Sequence, residues 1–151
     1  MEGERRVLLQ RTLIRVKHKL LKICSQHLEE FGISGAEYGI LRNLGEENLT
    51  LSELSQRLLK VNSNITALID NLERRGLVER TRDPSDRRVV RVRLTEAGFE
   101  LRERAVPAQN RFIAELLSPL ADADVAQLQT LLLKLEEICD GERERAGTVH
   151  E

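Results

Sequence analysis

Tryptophan is absent from this 151-residue chain, and one tyrosine and three phenylalanines bring the aromatic share to only 3%. Recognition of RNA or single strands leans on aromatic stacking platforms, so the composition argues against both. Cysteine is almost as scarce. Cys24 and Cys139 stand at unrelated places, without metal-ligand spacing, and read as two buried thiols packing as small hydrophobes in a reduced compartment. The sharper reading is a redox-sensing Cys24, whose only apparent activators are Lys22 and a contact with His27. His18, His27 and His150 are scattered, and the first two lie too far apart on one helix to share a metal, so no metal site is expected. No P-loop, no GxGxxG, no paired carboxylates and no Ser-His-Asp or Cys-His arrangement occurs. An enzyme and a bound cofactor are therefore not expected. No apolar run reaches the roughly 18 residues that a membrane helix needs, so no membrane association is expected. The opening MEGERRVLLQ lacks the apolar core of a secretory signal, which points to the cytoplasm.

What is present centres on Thr50 to Leu94. Thr50 and Glu53 form a capping box, and Leu51, Leu54 and Leu58 give the helix they open an apolar face. A turn at Leu59-Lys60-Val61 leads to a second helix, with Asn62 or Ser63 as its N-cap. Ile65, Leu68, Ile69 and Leu72 follow the i, i+3, i+4, i+7 spacing of a buried stripe. The opposite face collects Ser63, Thr66, Ala67, Asp70 and Arg74, flanked by Asn64 and Asn71. Gly76 ends the helix as a left-handed C′ residue. An outer face that is small and polar at its start and cationic at its end suits a helix whose first turns meet base edges in a major groove.

Leu77–Arg82 and Val89–Leu94 are short alternating runs joined by the turn-rich cluster from Asp83 to Arg88, a hairpin pattern. Val90, Val92 and Leu94 share one face, with Arg91 and Arg93 on the other. Between Arg74 and Arg93 stand eight arginines against Glu79, Asp83 and Asp86, a local balance of +5 in a chain whose net charge is −1. That concentration is the footprint of a polyanion-binding surface. Duplex DNA is the partner it fits best.

The segment SNITALIDNLERRGLVER followed by DPSDRRVVRVRLTEAG resembles the winged helix-turn-helix of the MarR family of bacterial transcription regulators. The ordered match runs through Ser63-Asn64-Ile65-Thr66, Asp70, Leu72-Glu73, Gly76-Leu77-Val78, Arg80, Asp86-Arg87-Arg88 and Leu94-Thr95-Glu96-Ala97-Gly98. The resemblance implies a homodimer on an imperfect palindromic operator, most simply a repressor released by a small-molecule effector. It also implies a minor-groove role for Arg88, oriented by Asp86 two residues earlier. Some relatives sense oxidants through thiols, which bears on Cys24. Family effectors, often phenolic or aromatic anions, occupy a crevice between dimer helices and winged helix. By position, that crevice involves His18, Leu21, Lys22 and Tyr38, with the helix after the wing. The full set expected to meet DNA is Asn62, Ser63, Asn64, Thr66, Ala67, Arg74, Asp86, Arg87 and Arg88.

The flanks are helical. From about Arg5 to Glu30, Leu9, Leu13, Val16, Leu20, Ile23 and His27 trace a heptad seam, widened by Ile14, Leu21, Cys24 and Leu28. Gly32 breaks this helix, and Ser34 and Glu37 form a second capping box for a helix ending near Gly45, with Leu49 as a short strand beside the wing. After the wing, Thr95 caps a helix that Pro107 should bend. Asp122 caps the last helix, whose seam is Val125, Leu128, Leu132, Leu135 and Cys139 and whose end is Gly141. The expected fold is mainly α with a small β-hairpin wing. Residues 1–33 form an N-terminal dimerisation helix, 34–95 the winged helix-turn-helix, 96–141 C-terminal dimerisation helices and 142–151 a frayed tail. A winged-helix protein-interaction module is the competing reading, but it has no need of a cationic wing or a small polar helix face.

Overall fold

The computed structural model describes residues 1–58 and 62–148. Helix α1 spans Glu2–Leu28, starting before Arg5 and passing into a 3-10 turn at Glu29–Phe31. Gly32, at φ 68°, ends it. Helix α2 spans Gly35–Leu44, β1 is Leu49–Thr50, α3 is Leu51–Leu58, and α4 is Asn62–Arg74. Strands β2, Val78–Arg82, and β3, Val90–Leu94, form the wing, followed by α5, Glu96–Leu117, and α6, Asp122–Thr148.

Both capping boxes form. The Glu37 amide donates to Ser34 Oγ at 3.1 Å while the Ser34 amide donates to Glu37 Oε2 at 2.9 Å. The Glu53 amide donates to Thr50 Oγ1 at 3.1 Å and the Thr50 amide to Glu53 Oε2 at 2.8 Å. Two donors that each helix start would leave orphaned are thereby satisfied. The turn at Leu59-Lys60-Val61 lies outside the described residues. Both residues expected as the N-cap, Asn62 and Ser63, lie within α4.

The sheet has the order β1-β3-β2, antiparallel throughout, with Leu49 opposite Val92 and Val78 opposite Leu94. Alternation along β3 buries Val92 completely and turns Arg91 and Arg93 to the other face. The core joins Ile40, Leu41 and Leu44 of α2, Leu54 of α3, and Ile65, Ile69 and Leu72 of α4, all 1% exposed or less. Each such side chain contributes about 1.5–3 kcal/mol of burial, so the inner stripe of α4 fixes which face turns outward.

The exit from α4 is a Schellman motif. The Gly76 amide donates to the Glu73 carbonyl at 2.9 Å and the Leu77 amide to the Leu72 carbonyl at 2.9 Å, with Gly76 at φ 71°. Thr95 Oγ1 donates to the Gly76 carbonyl at 2.6 Å and accepts from the Gly98 amide at 3.1 Å. A Cβ on Gly98 would lie 1.9 Å from the Leu77 carbonyl oxygen, so only glycine permits this approach of α5 to the start of the wing.

The chain divides into two compact units, Met1–Ile113 and a second beginning at Ala114. Helix α5 runs unbroken through Pro107. Helix α6 also continues through Gly141 to Thr148, where the sequence suggested a stop and a frayed tail. No left-handed turn forms at Gly141, and an Arg145–Glu142 pair at 2.6 Å supports the added turns. The end of the expected tail, residues 149–151, lies outside the described residues, and His150 with it. Large apolar side chains remain exposed along α1, including Leu9, Ile14, Val16 and Leu21, and along α6, including Val125, Leu128, Leu131, Leu132 and Ile138. The thiols differ from expectation for the same reason. Cys139 is exposed and Cys24 half-buried, because both lie on helices whose apolar faces are not fully covered within one chain. No helix among the described residues is long and apolar enough to cross a membrane.

Candidate nucleic-acid interface

Burial of Ile65, Ile69 and Leu72 leaves Ser63, Asn64, Ala67 and Arg74 exposed on the outer side of α4, with Thr66 half-buried beside them. The side chains at the start of this face are short, so the helix backbone can approach a groove floor closely. Its C-terminal half is braced instead. Asp70 and Glu73 both accept from Arg80 of β2, the latter at 2.7 Å, tying the wing to α4.

The local excess of arginine divides into two kinds. Arg75 pairs with Glu37, Arg80 with Asp70 and Glu73, Arg91 with Asp83 and Glu53, and Arg93 with Glu79. Arg74, Arg82, Arg87 and Arg88 have no carboxylate ion-pair partner among the described residues. Thus the charge that summation over the stretch assigns to the whole hairpin is concentrated at its tip and at the end of α4.

The tip is knit by its own backbone. Asp83 Oδ1 accepts from the Ser85 amide at 2.8 Å, the Asp83 amide donates to the Val89 carbonyl at 2.9 Å, and the Val89 amide donates to the Asp86 carbonyl at 3.0 Å. Arg82 Nη1 donates to the Arg87 carbonyl at 2.8 Å. Asp86 Oδ1 accepts from the Arg88 backbone amide at 3.0 Å. The Asp86–Arg88 relation that the family resemblance implies takes the form of an Asx turn holding the Arg88 backbone, and the guanidinium stays exposed.

Arg91 Nε donates to Asp83 Oδ2 at 2.7 Å. That bond, followed by the Ser85 amide, holds the Asp83 carboxyl below the usual carboxylate range. A lowered folded-state pKa means that the stabilisation is complete above the unfolded value, near 3.9, and is lost as pH falls through the folded value. The tip is thus expected to loosen only in acid. The Ser85 amide resonance should titrate below about pH 4 in NMR spectra, and Asp83→Asn should abolish that step. A Ser85 resonance indifferent to acid would refute the assignment.

Of the residues placed in the effector crevice, His18, Leu21 and Lys22 lie exposed on α1, and Tyr38 is half-buried on α2. Arg42 sits 5.9 Å from the centre of the Tyr38 ring. Burial pushes the Tyr38 phenol above its ordinary value, Arg42 opposes this, Cys24 adds to it, and Arg102 opposes it. Arg42 stands one turn after Tyr38 on α2, a spacing open to sequence reading, whereas Arg102 comes from α5 and is distant in sequence. His27 is engaged elsewhere, with Nδ1 2.7 Å from Gln109 Oε1 and its ring stacked at 4.2 Å on Phe112. Among the described residues, no three His, Cys, Asp or Glu side chains converge to hold a metal ion.

A helix that presents short polar side chains outward, followed by a two-stranded wing with a cationic tip that β1 extends to three strands, defines a winged helix-turn-helix DNA-binding protein. A sequence profile of the MarR family matches residues 31–89. The HTH-type transcriptional regulator PapX of Escherichia coli is 34% identical over 131 residues, 85% of this chain and 80% of PapX. The transcriptional repressor MprA of Escherichia coli (strain K12) is 33% identical over 148 residues, 96% of this chain and 84% of MprA. Among solved structures, a mutant MarR from E. coli complexed with operator DNA matches with a TM-score of 0.80 at 28% identity, over 87% of this chain and 95% of that one. The chain belongs to the MarR family of transcriptional regulators, and not to the enzymes.

Proposed function

We propose that this chain works in the cytoplasm as a homodimer that binds an imperfect palindromic operator in double-stranded DNA, represses transcription there and is released by a small-molecule effector. The observation that carries the reading is the pairing of an exposed, short-chained start of α4 with a wing tip whose Arg87 and Arg88 have no carboxylate partner among the described residues. Residues 34–95 read DNA, through Asn62, Ser63, Asn64, Thr66, Ala67 and Arg74 in the major groove and Asp86, Arg87 and Arg88 at the wing. Residues 1–33 and 96–141 dimerise, which would cover the apolar faces that α1 and α6 expose in the single chain. A two-fold dimer presents two reading helices, and a palindrome mirrors that symmetry. The similarity to MprA, a transcriptional repressor, and to a MarR solved in complex with operator DNA supports the same reading. The effector belongs near His18, Leu21, Lys22 and Tyr38. It acts only by favouring one separation of the reading helices, since a ligand indifferent to that separation shifts nothing.

A gel shift on the chain's own upstream region, with unrelated duplex as competitor, tests the reading. Specific retention is expected, and Asn64→Ala should lower it. Asparagine offers a donor and an acceptor at the spacing of adenine N7 and N6, so its loss should cost about 1–3 kcal/mol on the operator and far less on unrelated DNA. Equal losses on both DNAs would remove Asn64 from the residues that read sequence.

A further inference from the structure

Glu37 is a buried carboxylate, 6% exposed, and capping alone does not account for its surroundings. Besides the Ser34 amide, it accepts from Asn71 Nδ2 of α4 and from Arg75 Nη1 at 3.3 Å. The same Arg75 donates through Nη2 to the Gly32 carbonyl at 2.8 Å. Two stretches distant in sequence therefore meet through Glu37 and Arg75: the joint after α1 with the first turn of α2, and the end of α4. A carboxylate this buried must be compensated, and each partner removed leaves charge unpaired. Arg75 is suited to the task because its planar fork bonds two acceptors at once.

We infer that Glu37 is a positioning residue for sequence reading, which with Asn71 and Arg75 sets the angle at which the start of α4 enters the groove. This rests on the DNA-reading function proposed above. Asn71 follows Asn64 by two helical turns, about 10 Å along the axis, on the same flank of α4. Rotation of the helix about its buried stripe is opposed on the Asn71 side by Glu37 and on the Asp70 side by Arg80. Base contacts need placement within about 0.5 Å, so slack at Asn71 displaces Asn64 and Ala67 from their partners while leaving the charged wing in place. The link to Gly32 ties the same hub to the joint after α1.

The test compares the parent protein with Glu37→Gln, Arg75→Gln and the double variant. The probes are a duplex enriched by the parent from a random library and a scrambled duplex, each at several salt concentrations. Each single variant is expected to lose on the order of tenfold on the enriched duplex and little on the scrambled one. The double variant should lose no more than either single one, because both break the same hub. The slope of log K against log[salt] should stay at the parent's value, since no phosphate contact is lost. Arg75→Lys, which keeps the charge but not the fork, should show the same selective loss and carries the test if Glu37→Gln fails to fold. A flattened slope for Arg75→Gln, with Glu37→Gln reading like the parent, would make Arg75 a phosphate contact and overturn the inference. So would equal losses on both duplexes in step with a lowered Tm. A parent that enriches no duplex would remove the DNA-reading proposal and this one with it, a result distinct from variants that read as the parent does.

Discussion

Replacing Leu132 and Leu135 together by lysine is expected to yield monomers or aggregates and to abolish operator retention. Leu132 lies 41% exposed on α6, on the stripe that Val125, Leu128 and Leu131 continue, and the same helix exposes Ile138. Burying one leucine contributes about 1.5–3 kcal/mol, and two-fold symmetry doubles whatever the stripe supplies. Two lysines per protomer would place four unpaired ammonium groups in that seam, where desolvation is costly. Sedimentation, with circular dichroism to confirm helix content, measures the outcome. A well-folded variant that still sediments as a dimer would refute the assignment of α6 to the dimer.

Arg88→Ala is expected to weaken DNA binding strongly and to change its salt dependence. A hairpin tip is slim enough to enter a minor groove, and the negative potential there rises where the groove narrows. If each protomer of the dimer inserts one Arg88, the variant removes two cations from the contact. The slope of log K against log[salt] should flatten by about 1.8 units, while Tm barely moves because the guanidinium is exposed and has no ion-pair partner among the described residues. Asp86→Ala should also weaken binding, although it removes a negative charge, because Asp86 accepts the backbone amide that sets the course of Arg88. If Asp86→Ala tightened binding instead, charge addition would explain the result and the Asx turn would be irrelevant to DNA.

The parts of this structure legible in the sequence are those whose partners lie a few residues apart. Ser34 with Glu37, Thr50 with Glu53 and the stripe of α4 all depend on spacings of three or four, and all form as the pattern indicates. The strand at Leu49 was legible as an apolar residue beside a hairpin. What the sequence hid was partnership over long separations. Glu37 meets Asn71 and Arg75 across 34 and 38 positions, so it reads locally as an ordinary capping acid. The arginines of the hairpin sum to a cationic patch, but Arg80 and Arg93 are neutralised by partners that a running count cannot assign. Gly98 carried no local sign that a methyl group would strike the Leu77 carbonyl. Gly141 misled in the other direction, since glycine permits a left-handed turn without requiring one.

The strand order also dictates when the reading unit becomes complete. The central strand of the sheet, β3, is the last of the three in sequence, and Leu49 finds its partner only at Val92. Closing that loop costs about 3 kcal/mol of chain entropy. Contacts among α2, α3 and α4 span shorter stretches and favour earlier formation. During synthesis the reading helix can therefore pack on its neighbours, but it is framed on both sides only after β3 has left the ribosome. Thr95 and Gly98 follow within a few residues and close the junction at Gly76 and Leu77. A nascent chain that ends before β3 would carry the residues proposed to read bases without the sheet that aims them, and is expected not to retain the proposed operator.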